Sequence, residues 1–488
     1  MNQPKSEEQK RLDKAHQFSS DLVLESRQSR QLETAAEDLL KRIYKHAKPE
    51  REQRTKHLLQ LKILILNFVE ASQTDEGFMA LSFAAGNYSG DISYRVLVKR
   101  LVEPLISMGW LRLYKGYHSK DSSRESRISR VRLNNPLCDW LAEIAIDPDD
   151  IDYKAPQNCL VLKDTKKKVI KVPAEMKHRA LELEASTHRI NANLERTFTN
   201  LFIDEYELED LNTRMSNKAD EEPVQQFKFD PTNRYLKRIF NNNSLEQGGR
   251  FYGAWWQSIP KEYRTLISLD GEYTVEMDYS SIHIHLLYAE LQQACSMEDH
   301  YVFGKLTKDF RPITKTIVMI MINAKTEDSA LTAIKKQGLF DGGYPKGVNS
   351  LEEYLEEIHL YHQPIEQYFS SGMGVKLQYK DSQIAEGVML EMLPEICLPV
   401  HDSFIVKETL KERLEEVMNE QFELTTGFKA GIKATVLKLT EDKKEVVNKL
   451  INDELSSYST SLHAWRKKYN WTYFSEGGSD TDVPLKVL

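Results

Sequence analysis

The feature that most restricts what this chain can fold into is the order of three segments in its second half. They are a strand ending in Asp278, a helix carrying Arg311 and Lys315, and a tight turn at His401-Asp402. In EYTVEMDYSSIHIHLLYAEL, Tyr273, Val275 and Met277 alternate with Thr274, Glu276 and Asp278, the period of a half-buried strand, before the spacing changes to that of a helix. Asp278 therefore falls at a strand end, where a carboxylate can face solvent and a metal ion. In FRPITKTIVMIMINAKTE, Arg311 and Lys315 are four apart and share one helix face, which Met319 and Asn323 continue. In LPVHDSFIV, apolar runs flank His401-Asp402-Ser403, the pattern of a hairpin with its polar residues at the turn.

Either aspartate alone reads as an ordinary surface-turn residue; the order is what carries information. Two carboxylates able to hold two hard divalent cations, facing a cationic helix, form the constellation that phosphoryl transfer from a nucleoside triphosphate requires. On this reading Asp278 and Asp402 are the metal ligands, and Arg311 and Lys315 bind the triphosphate, Lys315 also protonating the leaving pyrophosphate. Upstream, SLEQGGRFYGAWWQ shows a Gly-Gly turn delivering Arg250 beside aromatic residues. Glycines allow close backbone approach to a phosphate, and an arginine can grip it with two donors, although a structural hairpin has the same signature.

These segments resemble the right-handed family-A polymerases and their relatives, the single-subunit RNA polymerases of phages and mitochondria. Asp278-Tyr279-Ser280-x-Ile282 is similar to motif A of the DNA polymerases. Arg311-x-x-x-Lys315 with Met319 resembles motif B, and His401-Asp402-Ser403-Phe404 resembles motif C in its RNA-polymerase form. Glu246-x-x-Gly249-Arg250 is similar to the element with which the RNA polymerases contact the template–product hybrid, and Gln378 in QYKDSQIAEGVM matches a glutamine that probes the minor groove. The resemblance spans roughly residues 240–440. It implies a palm bearing Asp278 and Asp402, fingers presenting Arg311 and Lys315, nucleotide contacts from Met319, Asn323, His283 and Tyr279, and template or primer contacts from Arg250, Gln378 and His401. The chain departs from the pattern in two places: Asn323-Ala324 replaces the Tyr-Gly that ends motif B, and His283 stands where the DNA polymerases place a glutamate that blocks a ribose 2′-hydroxyl. His283 is bulky enough to serve as the gate, which favours deoxynucleotides. The short intervals between motifs imply small fingers, and no exonuclease carboxylate set is visible upstream.

Residues 55–135 have the rhythm of a winged helix. HLLQLKILILNF reads as an apolar helix, and SYRVLVKRLVEPLISMG as a second with Leu97, Leu101 and Leu105 at fourfold spacing and Gly109 as its stop; Pro104 inside it predicts a kink or a shortened helix. WLRLYKGY and RISRVRL then read as a hairpin whose second strand alternates Val131 and Leu133 with Arg130 and Arg132. Arg112, Lys115, Lys120, Arg124, Arg127, Arg130 and Arg132 make this a basic wing suited to phosphates, while Ser93, Tyr94, Arg95 and Lys99 can face a groove. A winged helix that only packs against another domain or protein is the alternative.

The whole chain, 488 residues with a net charge of −8, has the length of about three domains. LLQLKILILNFVEA, its longest apolar stretch, is interrupted by Gln60 and Lys62, which predicts no membrane span, and no secretory signal is visible; four scattered cysteines suit a reducing cytoplasm. The expected organisation is α+β: a solvated helical arm (1–54), a winged-helix DNA-binding domain (55–140), a linker and helical, thumb-like segment (141–240), palm and fingers (241–440) and a helical tail (441–488). Within the third part, residues 174–215 read as one long amphipathic helix with Leu181, Leu183, Ile190, Leu194, Phe198 and Leu201 on one face, and 217–226 as a loop. The expected function is template-directed nucleotidyl transfer by a DNA polymerase or primase-polymerase without proofreading, using two Mg2+ ions (or Mn2+), with primed or single-stranded DNA and dNTPs or NTPs as partners. An accessory replication protein and service to a mobile element or phage fit that reading. A single-subunit RNA polymerase, and a DNA-binding regulator with an inactive polymerase-like half, are the alternatives.

Overall fold

The computed structural model describes residues 15–20, 22–24, 28–46, 54–74, 76–84, 88, 92–116, 128–221, 229–296, 298–436, 441–452 and 456–468. Lys120, Arg124 and Arg127 of the expected wing, and the SEGGSDTDVP tail, lie outside these residues. The architecture is mixed α and β. Among the described residues no helix is long and apolar enough to cross a membrane.

The N-terminal body is built on the apolar helix Arg54–Ser72, in which Leu61, Leu64, Ile65 and Phe68 are fully buried. The helix Ser29–His46 lies on it. Leu32, Ala36, Leu39, Leu40 and Ile43 recur at three- and four-residue spacing and are all buried, so this segment is part of the core and not the solvated arm its charge suggested. Its charged face is answered across the interface: Arg54 and Lys62 pair with Glu37 and Glu33, and Trp140 Nε1 donates to Asp38 at 3.0 Å. Leu111–Tyr114 and Arg130–Leu133 form the expected antiparallel hairpin, with Arg112 opposite Arg132, and Phe78–Ala80 and His16–Gln17 extend it to four strands. Helix Asn135–Ile144 closes the body, and its core runs on past residue 140 to Leu141, Ile146 and Ile151.

Pro104 does not shorten its helix. The segment is α-helical at Tyr94–Val96, π-helical over Leu97–Val102 and α-helical again over Glu103–Ser107, with the Glu103 N–H donating to the Val98 carbonyl five residues back. The wider turn just before the proline ring gives the carbonyls behind it room, which an unbroken α-helix does not. Leu97, Leu101 and Leu105 all point into the core.

The supposed linker is partly ordered as strands. Ile151–Tyr153 pairs with Leu22–Leu24, while Leu160–Lys163 lies parallel to Lys237–Phe240 in a four-stranded sheet with Val169–Ile170 and Gly248–Tyr252. The single long helix expected over 174–215 is instead two. One spans Lys177–Glu195; the chain then gives a strand, Thr199–Leu201, before a second helix, Glu205–Glu221, which takes in the first residues of the expected 217–226 loop. The periodicity misled because Leu201 is buried in the strand Thr199–Leu201 and Phe198 just before it, neither on a helix face, and Leu181 is exposed.

The largest core holds a six-stranded sheet whose central strand is Glu272–Tyr279. It is antiparallel to Ser403–Lys407 and to Ile432–Val436, and forms a hairpin with Ile267–Leu269, which in turn pairs with Thr199–Leu201. Helices Ile282–Glu290, Gly374–Glu391 and Lys411–Thr426 pack about it. Arg311–Asn323, Glu327–Lys336 and Leu351–Tyr361 form a smaller helical group on the same core. Helices Glu441–Asn452 and Ser457–Lys468 close over Phe198 and Phe202 through Val447, Tyr458, Leu462 and Trp465.

Candidate active site

Along Glu272–Tyr279 the side chains of Val275, Met277 and Tyr279 enter the core, so Glu276 and Asp278 must stand on the other face. Asp278 lies opposite Ser403 on one neighbour and Lys433 on the other. Leu398–Val400 and Ser403–Lys407 are joined by the two-residue turn His401-Asp402, with His401 at φ +61°, as so short a hairpin connection demands. The Tyr279 N–H donates to the Asp402 carbonyl at 3.3 Å, so the turn lies beside the end of the Asp278 strand. Two segments far apart in sequence thus deliver their aspartates to one end of one sheet. Glu276, on the same face, is already engaged: Arg264 Nη1 lies 3.1 Å from Oε1, and the Ser403 hydroxyl donates to that oxygen at 2.7 Å.

Asp278 and Asp402 line a cavity of about 580 Å³. Loss of water around Asp278, followed by repulsion from Asp402, raises its pKa from the ordinary 3.8 to about 7, although Lys315 pulls the other way. Such a pair is short of positive charge. Neither aspartate has an ion-pair partner among the described residues, and the oxygen-only donor set suits a hard divalent cation such as Mg2+.

The helix Arg311–Asn323 faces the pair. Thr314, Ile317, Val318, Met321 and Ile322 are buried behind it, leaving Arg311, Lys315, Met319 and Asn323, each four apart, along the cavity wall. Lys315 is exposed there, while Arg311 Nε is 2.5 Å from Asp299 Oδ2 and its guanidinium sits 5.4 Å over the Tyr301 ring. Asn323 donates to the Met319 carbonyl at 2.7 Å and crosses the start of the helix Gly374–Glu391, where a Cβ on Gly374 would fall 1.8 Å from its Oδ1. Lys261 and Lys433 join Lys315 at the cavity.

Arg250 also reaches the cavity, but its charge is already matched. Its Nε lies 3.1 and 3.0 Å from the two carboxylate oxygens of Asp381, whose side chain is 1% exposed, and its Nη2 donates to the same group. His283 Nε2 lies 3.1 Å from Asp381 Oδ2 and 3.2 Å from Arg250 Nη2. The Gly-Gly pair serves this packing and not a close phosphate: a Cβ on Gly249 would meet Phe240 Cε1 at 2.8 Å and Ser382 Oγ at 2.9 Å. His283 therefore lines the cavity as a ring fixed from behind.

Of the expected site residues, Asp278, Asp402, Arg311, Lys315, Met319, Asn323, His283, Arg250, Gln378 and His401 converge on this cavity. Burial, then the charge of Arg250, push the His401 pKa below its usual value. Tyr279 touches the cavity but its ring does not serve it: the side chain is 2% exposed, packs against Phe404 and Phe422, and its hydroxyl donates to the Met418 carbonyl at 2.5 Å. A nucleotide-binding role for that side chain is corrected to a core role. Tyr94, Arg95, Arg130 and Arg132 belong to the N-terminal body. There Arg130 is 6% exposed and donates to the Ile128 carbonyl at 2.6 Å, which corrects its expected outward, phosphate-facing position; Arg132 lies 3.5 Å from Glu76 and over Phe78. Sequence reasoning missed Asp381, Lys261, Lys433 and Tyr301. Asp381 lies within the segment that yielded Gln378; the importance of Lys433 rests on strand register, for which no local signal exists.

No protein-family model matches the chain, and no curated protein matches it. Among solved structures it is similar to the POL domain of Pol1 from M. smegmatis in complex with a DNA primer-template and dNTP, with 12% identity and a TM-score of 0.26. The match covers 46% of this chain and 50% of that one, so the chain spans about half the length of the structure it matches.

Proposed function

We propose that the chain is a template-directed nucleotidyl transferase, a DNA polymerase or primase-polymerase without proofreading. The observation that carries this reading is the meeting, in one cavity, of two aspartates without ion-pair partners among the described residues and the cations Lys261, Arg311, Lys315 and Lys433. Asp278 and Asp402 would hold Mg2+, or Mn2+ in its place, and the raised pKa of Asp278 is the deficit such ions fill. Two bound ions supply neutralisation of the phosphoryl oxygens and a lower pKa for an attacking 3′-hydroxyl. Lys315 is the residue free to bind the triphosphate and to protonate the leaving pyrophosphate, with Arg311 steadied beside it by Asp299 and Tyr301. Gln378 and His401 face the base-paired end, and Arg250 acts there through Asp381 and His283 and not as a free phosphate clamp.

Sugar choice follows from His283. A ring held by Asp381 and Arg250 does not swing aside, and a rigid wall excludes a 2′-hydroxyl more strictly than a mobile one. The reading is therefore dNTP use, with the N-terminal body as a winged-helix reader of duplex DNA that presents Tyr94, Arg95 and the outer hairpin. The deciding experiment is extension of a labelled primer–template in Mg2+ with dNTPs and NTPs in parallel, plus a lane without primer. Extension with dNTPs supports the reading; preference for NTPs replaces it with an RNA polymerase, and no extension in any lane favours a DNA-binding regulator. His283→Ala should raise ribonucleotide incorporation while dNTP incorporation remains measurable.

A further inference from the structure

The helix Ile282–Glu290 has a second histidine, His285, which the proposed chemistry does not use. It is 4% exposed and meets His300, 3% exposed, edge to face with ring centroids 5.5 Å apart. Cys295 completes the group: its Sγ lies 3.2 Å from His300 Nε2, and the metal-ligating atoms of the three residues all fall within 4.8 Å of one another. His285 Nδ1 and His300 Nδ1 are buried without a hydrogen-bond partner among the described residues, while His300 Nε2 also lies 2.9 Å from the Ser296 carbonyl oxygen. His57, His283 and His362 each have an orphan nitrogen too, so what sets this place apart is the cluster itself: two imidazoles and a thiol whose donor atoms meet in the interior.

We infer that His285, Cys295 and His300 form a binding site for a soft divalent cation, Zn2+ foremost, separate from the magnesium-type aspartate pair. One sulfur and two imidazole donors suit zinc and are poor ligands for magnesium. Bonds of roughly 2.0–2.3 Å to a tetrahedral ion require the donors to close by about 1 Å, with the fourth position left to water. The thiol proton is released to solvent when the ion binds, and no electron is transferred. The ion would tie the loop after Leu291 to the helix. That loop runs on into Asp299 and Tyr301, the two residues that hold Arg311 at the cavity, so zinc would act as a clamp setting the position of Arg311.

The test uses the full chain stripped with a chelator and then titrated with Zn2+ or Co2+ in excess Mg2+. One equivalent should bind; the cobalt form should show a thiolate charge-transfer band, and bound zinc should slow modification of Cys295 by a thiol reagent. Cys295→Ser should lose that band and weaken zinc binding at least tenfold, at a circular-dichroism spectrum equal to wild type. Cys159→Ser is the control, since Cys159 Sγ also lies near an imidazole, 3.5 Å from His188 Nδ1, and it should leave the band unchanged. Absence of stoichiometric binding, or a band that survives Cys295→Ser, or one that vanishes in Cys159→Ser, overturns the inference. None of these readouts depends on polymerase activity.

Discussion

The basic residues of the N-terminal body and those of the cavity looked alike in sequence, and the fold treats them differently. In the body, Arg130 is turned inward, Arg132 sits by Glu76 and Phe78, Lys99 pairs with Glu103 at 2.5 Å, and Arg112 lies over Tyr114. Around the cavity, Lys261, Lys315 and Lys433 have no ion-pair partner among the described residues, and two aspartates of matching freedom stand among them. Charge that the fold has already neutralised stabilises the fold; charge left over is available to a ligand. What separates these residues is whether a partner is already in place and not residue type, a rule that also sorts each region within itself: Arg95 of the body is exposed, and Arg250 and Arg311 at the cavity are paired.

The strongest attempt to break this comparison is removal of the aspartates. Asp402→Ala or Asp278→Ala should abolish nucleotide incorporation, because one carboxylate cannot hold two cations, while DNA affinity persists through contacts elsewhere. Near-wild-type extension by Asp402→Ala would show that the aspartates are ordinary surface charges after all. Lys315→Ala comes next. Loss of one cation on the phosphates should lower single-turnover incorporation by about 100-fold with little change in primer–template affinity, and unchanged nucleotide kinetics would place Lys315 with the spent charges of the body.

A smaller effect sharpens the comparison through pH. The folded-state pKa of Asp278 is raised to about 7 from the ordinary 3.8, so the fold favours its neutral form. The ionised carboxylate therefore costs stability, a cost absent below pH 3.8 and growing until pH passes 7. Asp278→Asn should raise Tm at pH 8 and leave it nearly unchanged at pH 3.5, and Mg2+ should narrow the gap at pH 8 by satisfying the wild-type charge. An equal Tm at both pH values without metal would mean that Asp278 is not under strain. The smallest effect is expected in the body. Arg95→Ala, at an exposed position, should weaken duplex binding only about threefold and flatten its salt dependence slightly, whereas Arg130→Ala should lower Tm first. A larger loss of DNA binding in Arg130→Ala than in Arg95→Ala, at equal Tm, would reverse that assignment.

Much of the cavity was legible because its residues announce themselves locally. Alternation placed Asp278 at a strand end, fourfold spacing aligned Arg311, Lys315, Met319 and Asn323, and flanking apolar runs marked the His401-Asp402 turn. The misread residues depended on partners remote in sequence. Asp381 matters because a helix packs on the Gly248–Tyr252 strand, and Lys433 because of strand register. Tyr279 is instructive in another way. The alternation that turned Asp278 toward solvent required its neighbour to point inward, and the resemblance drew attention away from that inference. In the N-terminal half, the helix Ser29–His46 was hidden by its charge, and the broken helix near Arg196 by apolar residues that kept a helical rhythm while serving a strand.

The contact among Arg250, His283 and Asp381 ties three separate segments of chain to one buried carboxylate. A change of His283 leaves Arg250 and Asp381 to settle with each other, and a change of Asp381 leaves two cationic-capable groups facing without a counterion. The three positions therefore constrain one another's history. Viable sequences are expected to vary them together, and any attempt to retune sugar selection at His283 alone inherits the debt of the other two.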